Sequence, residues 1–493
     1  MNANVLERRA SYHPDRPAVC WRGCWISYGE LYERARRAAG VLAGRGVEPG
    51  DRVGLLASNH PAYLDLLFAA PLLGFTLAPF NNRLGRPELR ELAAYIRPKI
   101  TFYGPGFSEI ANDMDNETLP LEALQEEPAG EFTGYQPGVE DVALLLFTGG
   151  TTGLPKAAMI SYRQLLLNAF NTAFAWGVTG EDRCIVSTPM FHAAVNALAT
   201  PLLYLGGSVI VQENFDPGEY LEWVETYRPT LIFMVPTMYQ MLYNHPRFDQ
   251  TDFSGVRWAI SGGSPCPAPV RGRFGELGVR FKQGYGMTEA GVNCFHVDLD
   301  EAERHPESVG RPMPHLWGRV SDAEGAELPD GIAGELCLSG PVLMNGYWEL
   351  EKETAEVLRP DEEGRTWLHT GDLAYRDEAG RYFIVGRKKE MFISGGENVY
   401  PAEVEQVLYD HPQVAECAVV GVPDDRWGEI GLAAIVQKPE SHPEEGEIEA
   451  FARERLAGYK IPKRWVFLDE LPKSGAGKIL KRDLAERHGA GDQ

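Results

Sequence analysis

The sequence lacks the features that would place it in a membrane or send it out of the cell. Its first residues do not show the charged-then-apolar pattern of a secretory signal. The most apolar stretch, Ala62 to Phe80, is interrupted by Asp65, Pro71 and Gly74, so it does not read as a membrane span. These absences predict a cytoplasmic protein without an integral membrane segment.

Cysteine and basic charge are also scarce. The seven cysteines are an odd number, which favours reduced thiols over a disulfide framework. Cys20 and Cys24 enclose Arg22 and Gly23, a pair typical of a hairpin turn, and no second ligand pair follows, so a metal site is not expected there. With 47 basic and 70 acidic residues the formal net charge is −23, which argues against nucleic acid and anionic membranes as main partners.

Internal repeats, heptad runs and low-complexity segments are absent as well, and the chain instead alternates two kinds of element. Amphipathic helices such as Leu31–Leu42 and Ala62–Leu73 flank short apolar strands such as Arg52–Leu56. This alternation predicts an α/β fold. Loops after its parallel strands are where such folds keep their sites.

The pattern of predicted secondary structure changes twice toward the carboxyl end. From Asp298 to Arg387 short strands and turns predict a small β subdomain, which completes a large domain over residues 1–386. The charged run Arg387-Lys-Lys-Glu390, a Gly-Gly turn, a helix from Pro401, two strands and a last helix follow. We therefore expect a small α+β domain over residues 387–493.

One loop has the composition of a phosphate-binding site. Phe147-Thr-Gly-Gly-Thr-Thr-Gly-Leu-Pro-Lys156 offers backbone N–H groups, hydroxyls and one lysine to an anion. It is not a Walker loop, because Gly153 is followed by Leu154 and Pro155 instead of a lysine that opens a helix. The apolar flanks predict a strand, loop and strand, and Ser161 with Gln164 predicts a capping box for the next helix. A plain surface loop is the alternative.

A second motif, Gly284-Tyr-Gly-Met-Thr-Glu289, offers an aromatic ring, a hydroxyl and a carboxylate within a few residues. Tyr285 can stack on a base, Thr288 can donate to a phosphate oxygen, and Glu289 can bind Mg²⁺ through its carboxylate. By composition alone, an ordinary glycine-rich turn remains the alternative.

Two further motifs are weaker on their own. Asp372 in Thr370-Gly-Asp372 could accept hydrogen bonds from two ribose hydroxyls, and Arg387 could reach the same sugar. Lys478 lies on the glycine-rich segment Pro472–Lys478 within a basic tail. A turn aspartate and a solvated lysine are the respective alternatives.

Taken together and in order, these motifs resemble the adenylate-forming superfamily. The set also includes Pro189-Met-Phe-His192, Gly386-Arg-Lys-Lys-Glu390 and Gly395-Gly-Glu-Asn398. That superfamily comprises acyl- and aryl-CoA synthetases, peptide-synthetase adenylation domains and beetle luciferases. The resemblance extends from about Ser27 to Leu484, and it implies ATP, Mg²⁺ and coenzyme A as cofactor and co-substrates.

The resemblance also implies a role for each motif residue. The ATP phosphates would bind at Thr148, Gly149, Gly150, Thr151, Thr152, Gly153 and Lys156. Adenine would stack on Tyr285 and Gly286 against Gly262 and Gly263, and the ribose would bind Asp372 and Arg387. Thr288 would contact the α-phosphate, Glu289 would hold Mg²⁺, and Lys478 would stabilise charge as pyrophosphate leaves.

Two half-reactions would require the small domain to move. The lysine that assists acyl-adenylate formation would obstruct the thiol that must attack next. By resemblance the small domain rotates about Lys389 and exchanges Lys478 for the Gly395-Gly396 turn at the CoA-binding tunnel. The loop departs from the common form at two positions, with Gly149 for serine and Ala157 for glycine, and Gly149 matches a variant associated with fatty-acyl ligases.

The substrate acid is less constrained than the nucleotide. The segment Pro189–Asn196, with Tyr239, Gly262 and residues 287–292, is expected to border the acyl pocket. The segment is apolar apart from Asn196 and His192. Amino-acid-activating members of the superfamily place an acid near it to hold the α-ammonium, so the resemblance argues against an amino-acid substrate here. His192 would orient the acid or simply pack. A medium- or long-chain fatty acid is preferred, with an aryl or arylalkyl acid as the alternative.

The acceptor is expected to be coenzyme A, because Gly-Met-Thr-Glu stands where carrier-loading relatives tend to have Gly-Pro-Thr-Glu, and no carrier domain follows Leu484. An enzyme that loads a carrier protein is the alternative. A non-catalytic nucleotide-binding protein is disfavoured by the presence of Lys478, Glu289 and Asp372. A homodimer is left open.

Overall fold

The structure, a computed structural model, describes residues 4–149, 154–424, 426–438, 441, 443–473 and 479–489. Its strands, in chain order, are β1 (Pro17–Trp21), β2 (Cys24–Ser27), β3 (Arg52–Leu56), β4 (Thr76–Pro79), β5 (Ile100–Tyr103), β6 (Glu117–Pro120), β7 (Val142–Thr148), β8 (Lys156–Ser161), β9 (Arg183–Val186), β10 (Ser208–Val211), β11 (Leu231–Met234), β12 (Trp258–Ser261), β13 (Phe281–Gln283), β14 (Phe295–His296), β15 (Arg311–Pro312), β16 (Trp317–Ser321), β17 (Gly334–Ser339), β18 (Leu358–Pro360), β19 (Thr366–Arg376), β20 (Tyr382–Arg387), β21 (Phe392–Ser394), β22 (Glu397–Val399), β23 (Val414–Asp424), β24 (Gly428–Gln437) and β25 (Arg464–Phe467).

The α-helices of the same residues are α1 (Val5–Tyr12), α2 (Tyr28–Gly44), α3 (Ala62–Leu73), α4 (Arg86–Ile96), α5 (Ser108–Ala111), α6 (Ala123–Glu126), α7 (Tyr162–Trp176), α8 (Val195–Leu205), α9 (Pro217–Tyr227), α10 (Pro236–Tyr243), α11 (Ala268–Glu276), α12 (Leu299–Arg304), α13 (Glu351–Val357), α14 (Pro401–Tyr409), α15 (Glu445–Arg453) and α16 (Lys481–His488). None of these helices combines the length and apolar composition that crossing a bilayer requires.

Two mixed sheets form the large domain. One has the order β13-β12-β11-β9-β10-β1-β2, and only its last pair is antiparallel. The other has the order β6-β5-β3-β4-β7-β8, and β7 and β8 form its antiparallel edge. Helices cover both sheets, so their central strands are buried and apolar on both faces, as β10 illustrates. The predicted α/β fold is confirmed.

The helix and strand predictions hold where the sequence marks the ends. Strand β3 and helix α3 have the predicted limits, and α2 extends the predicted Leu31–Leu42 segment at both ends behind the Ser27–Glu30 capping box. The apolar runs 230–235 and 256–260 each predict a strand, and the strands found there, β11 and β12, are shorter than those runs. Periodicity locates such a strand, but backbone pairing decides where it stops.

Only one of the two hydrogen bonds of the capping box predicted at Ser161 is present. The Ser161 hydroxyl accepts from the backbone N–H of Gln164 and caps α7 at 3.4 Å. The Gln164 side chain does not return to Ser161; its Nε2 donates instead to the backbone carbonyl of Thr288, 3.1 Å away. A glutamine at this helix position thus contacts the second motif instead of closing the box.

The last third of the chain contains two smaller sheets. Strands β16, β17, β19 and β18, with β20 on β19, form an antiparallel sheet in the region predicted to be a β subdomain. Beyond it, β22-β21-β24-β23 with β25 forms the sheet of a smaller carboxyl-terminal domain, which has its own apolar core around Phe392, Val404 and Ile435. The boundary between residues 386 and 387 stays a prediction.

The hairpin turn predicted between Cys20 and Cys24 is confirmed. Cys20 and Cys24 lie on the antiparallel pair β1 and β2, where Trp21 faces Cys24 and Arg22 and Gly23 form the turn. All seven cysteines are free thiols, and all but Cys24 are buried. Among the described residues no group of three histidine, cysteine or acidic side chains is arranged to hold a metal ion.

Candidate functional site

The predicted phosphate loop connects the two antiparallel edge strands. Thr148 ends β7 directly opposite Lys156 at the start of β8, and its hydroxyl lies 3.4 Å from the Lys156 carbonyl oxygen to which it donates. This confirms the strand, loop and strand arrangement around the motif. Gly149 is exposed, and Gly150, Thr151, Thr152 and Gly153 lie outside the described residues.

A tyrosine that the motifs did not predict connects the loop to Glu289. The Lys156 ammonium lies 4.9 Å from the centre of the Tyr347 ring. The Tyr347 hydroxyl donates to Glu289 Oε1 at 2.9 Å, across 58 positions of sequence. Tyr347 also pairs with Ala158 of β8 through an isolated bridge. Its position before α13 gave no local signal, because its partners are distant in sequence.

Glu289 is a buried carboxyl group in a short 3₁₀ turn over Thr288–Ala290. Burial raises its pKa above the usual value, while the Tyr347 hydroxyl and the Arg387 charge act in the opposite direction. A buried carboxylate with a hydroxyl donor and a cation nearby is suited to bind a further cation through its remaining lone pairs. The arrangement therefore fits the magnesium role that the sequence suggested.

The turn that holds Tyr285, Thr288 and Glu289 is fixed by close backbone contacts. A Cβ added to Gly286 would lie only 1.6 Å from the Val292 carbonyl oxygen, so no other residue fits without moving the chain. The Gln164 bond to the Thr288 carbonyl joins the turn to α7. The turn thus presents its side chains from a rigid frame.

Tyr285 and Asp372 meet at the next part of the site. The Tyr285 hydroxyl donates to Asp372 Oδ2 at 2.5 Å, and burial raises the pKa of Tyr285 well above its usual range. Arg387 pairs with Asp372 Oδ1 at 2.7 Å from the facing position on β20. The Asp372 backbone N–H donates to the Thr370 hydroxyl. The three residues predicted to bind the nucleoside are therefore neighbours.

Gly262 and Gly263 follow the carboxyl end of β12. The Gly262 N–H donates to the Met234 carbonyl at 3.2 Å, and a Cβ on Gly262 would lie 3.0 Å from the Phe233 ring. Gly263 has φ +87°. Both glycines thus lie at the same edge of the sheet as the Gly284–Glu289 turn, which follows β13.

His192 lies against Phe191, with 4.5 Å between ring centres. Burial lowers the pKa of His192 to about 4, helped by the charge of Arg83, so the ring is neutral near pH 7. Its buried Nε2 has no hydrogen-bond partner in the described part of the chain. A neutral ring with one unused nitrogen can accept or donate a hydrogen bond to a bound acid.

Tyr239, expected at the acyl pocket, lies elsewhere. It is fully buried between Phe274 and Phe281 in an aromatic cluster behind the sheet, and its hydroxyl donates to the Ile260 carbonyl at 2.9 Å. That expectation was wrong. Tyr239 lies in the first turn of α10 and its side chain packs toward the core, a direction that depends on tertiary contacts and not on the local sequence.

Helix α7 carries a row of buried polar side chains that the motifs did not predict. Its members are Gln164, Asn168, Asn171 and Thr172, which recur at helical spacing and which we call the α7 polar row. Asn168 donates to the Asn196 carbonyl at 2.7 Å, and Asn293 donates to the Thr172 hydroxyl at 2.8 Å. The row therefore lies among the segments that were expected to border the acyl pocket.

The α7 polar row has unused hydrogen-bonding capacity. Gln164 Oε1, Asn168 Oδ1 and Asn171 Nδ2 are buried without a partner among the described residues. Buried amide atoms normally find hydrogen-bond partners, and these three find none among the described residues. The periodic amides at positions 164, 168 and 171 were visible in the sequence, but their burial was not.

The residues expected to act in the second half-reaction lie in the smaller domain. Lys389 is exposed in the turn after β20, where the N–H groups of Glu390 and Met391 donate to the Arg387 carbonyl. Gly395 and Gly396, with φ +62° and +89°, form the two-residue turn between β21 and β22. Gly395 donates to the Trp427 carbonyl. Lys478 lies outside the described residues, whereas Lys473 and Ile479 on either side form an antiparallel bridge.

The structure thus brings together two groups of predicted residues. Thr148, Lys156 and Glu289 meet around Tyr347, and Tyr285 and Arg387 meet at Asp372. Within the described ranges, no hydrogen bond, ion pair or ring contact joins His192 or the Gly395-Gly396 turn to either group.

Comparison with known proteins identifies the family. The family model described as AMP-binding enzyme matches residues 6–348, and the model described as AMP-binding enzyme C-terminal domain matches residues 403–478. The two matches cover most of the chain and follow the order of the large and small domains.

Similar proteins match along the whole chain. A feruloyl-CoA synthase from Amycolatopsis sp. is 42% identical over 98% of this chain and 98% of its own length. An indoleacetate–CoA ligase from Aromatoleum aromaticum is 34% identical over 98% of this chain and 97% of its own. Relatives named as ligases of fatty acids also occur, at 35% and 31% identity.

A similar solved structure is the o-succinylbenzoate CoA synthetase from Bacillus subtilis in complex with its acyl-adenylate intermediate. It has a TM-score of 0.91 and 28% identity and covers 99% of both chains. The same enzyme in complex with ATP and magnesium ion gives a TM-score of 0.89 and covers 98% of this chain and 99% of its own. On these matches and the motifs described above, the chain belongs to the AMP-binding enzyme family, that is, to the adenylate-forming superfamily, and is an enzyme of its acid–thiol ligase class.

Proposed function

We propose that this protein is an ATP-dependent CoA ligase that activates an aryl-substituted carboxylic acid of the hydroxycinnamate type. The observation that supports the acid class best is the α7 polar row, whose unused amide atoms lie among the segments expected to border the acyl pocket. Full-length similarity at 42% identity to a feruloyl-CoA synthase supports the same class.

In the first half-reaction the substrate carboxylate attacks the α-phosphorus of ATP. A P–O bond forms to the carboxylate oxygen, the bond to pyrophosphate breaks, and an acyl-adenylate results. Both reactants are anions, so the reaction needs cationic groups and hydrogen-bond donors around the phosphates. Lys156 and the Thr148 hydroxyl would supply them from the hairpin, and Thr288 would donate to the α-phosphate.

Magnesium fits the buried carboxylate of Glu289, because its donor set is oxygen and a cation would offset the cost of burying the charge. When bound, the ion would neutralise charge on the phosphates. Tyr347 would orient the carboxylate, since its hydroxyl already donates to Oε1. Asp372 and Arg387 would bind the ribose, and Tyr285 would lie against adenine.

In the second half-reaction the CoA sulfur attacks the acyl carbonyl, the C–O bond to AMP breaks, and the thioester and AMP result. Lys478 would serve the first step and the Gly395-Gly396 turn the second, with Lys389 as the hinge between the two arrangements. The exposed turn at Lys389 and the open turn at Gly395 and Gly396 are compatible with such a rotation.

The acid class can be argued from hydrogen bonding. A long alkyl chain would leave Gln164 Oε1, Asn168 Oδ1 and Asn171 Nδ2 without partners, and each such loss costs about 1–3 kcal/mol. Hydroxyl or methoxy groups on an aromatic ring could satisfy them. The fatty-acid preference drawn from the sequence stays a prediction that rests on the apolar side chains around Phe191 and on the Gly149 variant.

A panel of acids tests the proposal. We expect ferulate and 4-hydroxycinnamate to support ATP-dependent CoA consumption with a kcat/KM at least tenfold above that for decanoate. Asn168→Leu should reduce the preference for 4-hydroxycinnamate over cinnamate, whereas Asn116→Leu, which alters a comparable amide with an unused oxygen far from α7, should not. A preference for decanoate would refute the acid class but not the ligase chemistry.

The acceptor and the role of Lys478 are tested separately. Acid-dependent pyrophosphate exchange without consumption of free CoA would favour the carrier-loading alternative. We expect Lys478→Ala to cripple adenylation while thioester formation from preformed acyl-adenylate stays near wild type. Equal losses in both half-reactions would contradict that role. A cytoplasmic location also stays a prediction, for fractionation to test.

A further inference from the structure

A cavity of about 750 Å³ lies at the beginnings of β12 and β13, where Trp258 opens β12 and Arg280 precedes β13. The expected nucleotide site follows the opposite, carboxyl ends of these strands. None of the described residues that line the cavity belongs to that site. The volume is within the range of about 300–1,000 Å³ typical of small-molecule sites.

The floor of the cavity is a buried lysine. Lys282 is 3% exposed, and its ammonium lies 4.1 Å from the centre of the Trp258 ring and 5.1 Å from that of Trp176. Its neighbour Phe281 belongs to the aromatic cluster on the other face of the sheet. In the part of the chain that the structure describes, no carboxylate forms an ion pair with Lys282.

The surrounding charges neutralise this lysine only in part, because the Asp298 charge favours the ammonium form and the Arg257 charge opposes it. Three arginines of the wall pair with acids: Arg257 with Asp182, Arg280 with Asp300 and Glu303, and Arg311 with Glu301. The distance between Asp298 Oδ1 and His296 Nε2 is 3.2 Å. Asp300, Glu301 and Glu303 are therefore engaged with arginines, whereas Asp298 faces a histidine whose pKa burial lowers.

Two further features suit an anion with an aromatic or apolar body. His296 Nδ1 is buried without a hydrogen-bond partner among the described residues. Phe174, which also lines the cavity, is 78% exposed, an unusual position for a large apolar ring. Burial lowers the pKa of Lys282 to about 7, although the charge of Asp298 acts in the opposite direction.

We propose that this cavity is a second binding site, for a small organic anion whose carboxylate or phosphate pairs with Lys282 and whose ring packs against the aromatic side chains of the wall. The anion supplies the charge that the buried ammonium lacks. Paired buried charges are common in proteins and unpaired ones are costly. The site does not depend on the function proposed above.

Ligand binding to the enzyme with its active site already occupied tests the proposed second site. The active site is first saturated with a non-hydrolysable acyl-adenylate analogue, and calorimetry then measures any additional binding of benzoate, adenosine monophosphate or uncharged benzamide. We expect about one further equivalent of benzoate or of the nucleotide, and the one that binds identifies carboxylate or phosphate as the preferred group. Benzamide should bind at least tenfold more weakly.

Variants connect the binding to Lys282. Lys282→Met should weaken it at least tenfold, whereas Lys352→Met, which removes an exposed lysine of α13, should not. Arg304→Gln should weaken binding of the anion several-fold. Because Arg304 is exposed at the rim of the cavity, this variant should fold normally even if Lys282→Met does not. The proposal would be overturned if the wild type with its active site occupied bound no further ligand, or if it bound benzamide as tightly as the anions. Unchanged binding in both Lys282→Met and Arg304→Gln would overturn it as well.

Discussion

The Tyr285 hydroxyl and the Asp372 carboxylate, 87 positions apart in sequence, are joined by a hydrogen bond of 2.5 Å. Arg387 engages the other carboxylate oxygen at 2.7 Å. The ring proposed to stack on adenine and the acid proposed to bind ribose are thus positioned by one another. Damage to one should therefore affect the affinity for the whole nucleoside.

Replacing Tyr285 by phenylalanine separates the ring from its hydrogen bond. We expect Tyr285→Phe to raise the KM for ATP roughly two- to tenfold, which corresponds to the net contribution of about 0.5–1.5 kcal/mol from one hydrogen bond, and to change kcat little. Tyr285→Ala should raise KM further because the stacking face is lost. Tyr135→Phe is a matched control, since the Tyr135 hydroxyl also donates to an aspartate, Asp141, outside the site. Equal KM values for all of these enzymes would contradict the proposed adenine site.

The sequence predicted elements well where their ends carry local signals. Helix α3 has its predicted limits, since Pro61 precedes it and Gly74 follows it. The phosphate hairpin was also predictable, because apolar runs flank a loop of glycines and hydroxyls. The ends of β11 and β12 were not, because they depend on strand pairing over long distances.

The parts of the site that the sequence missed are contacts between distant residues. Tyr347 reaches Glu289 across 58 positions, and Gln164 reaches the Thr288 carbonyl across 124. Neither side chain has a neighbour in sequence that would indicate its partner. The direction of Tyr239 and the burial of the α7 polar row likewise follow from tertiary packing, which propensity and periodicity do not specify.

Two glycines of the proposed nucleotide site should respond in opposite ways to a small side chain. We expect Gly286→Ala to abolish ATP binding or folding, because its Cβ would lie 1.6 Å from a backbone oxygen that cannot move freely. Gly149→Ser should be tolerated, since none of the described residues lies within 4 Å of an added Cβ there, and its hydroxyl could add a donor to phosphate. Soluble yield and ATP affinity by calorimetry measure both effects. A fully active Gly286→Ala enzyme would show that the turn is not rigid.

His369 should make the stability of the large domain depend on pH. Its contacts with Cys337 and then with Glu335 raise the pKa of His369 from 6.5 to about 9, and the same histidine lowers the pKa of Glu335 to about 2. A raised pKa means that the folded state binds the proton more tightly. The stabilisation is therefore complete below about pH 6.5 and is lost as the pH rises through 9.

The test compares His369→Asn with the wild type in urea at several pH values. We expect the variant to be less stable by about 1 kcal/mol near pH 6 and the difference to shrink as the pH approaches 9.5. His411→Asn is a control of opposite sign, because burial lowers the pKa of His411. A difference for His369→Asn that does not change with pH would indicate that this histidine is already neutral in the folded protein.

Proline at position 389 tests the hinge. Lys389 is exposed in the turn after β20, and Lys388 beside it lies 3.2 Å from Glu335 through its ammonium. Proline fixes φ near −65° and restricts the residue before it, so it should hinder rotation at this point without removing a buried contact. We expect Lys389→Pro to lower overall CoA ligation at least tenfold while one of the two half-reactions persists. Lys389→Ala leaves the backbone free and should remain close to wild type.

Pyrophosphate release without CoA measures the first half-reaction, and thioester formation from preformed acyl-adenylate measures the second. Wild-type rates of both in the proline variant would place the rotation elsewhere than at Lys389.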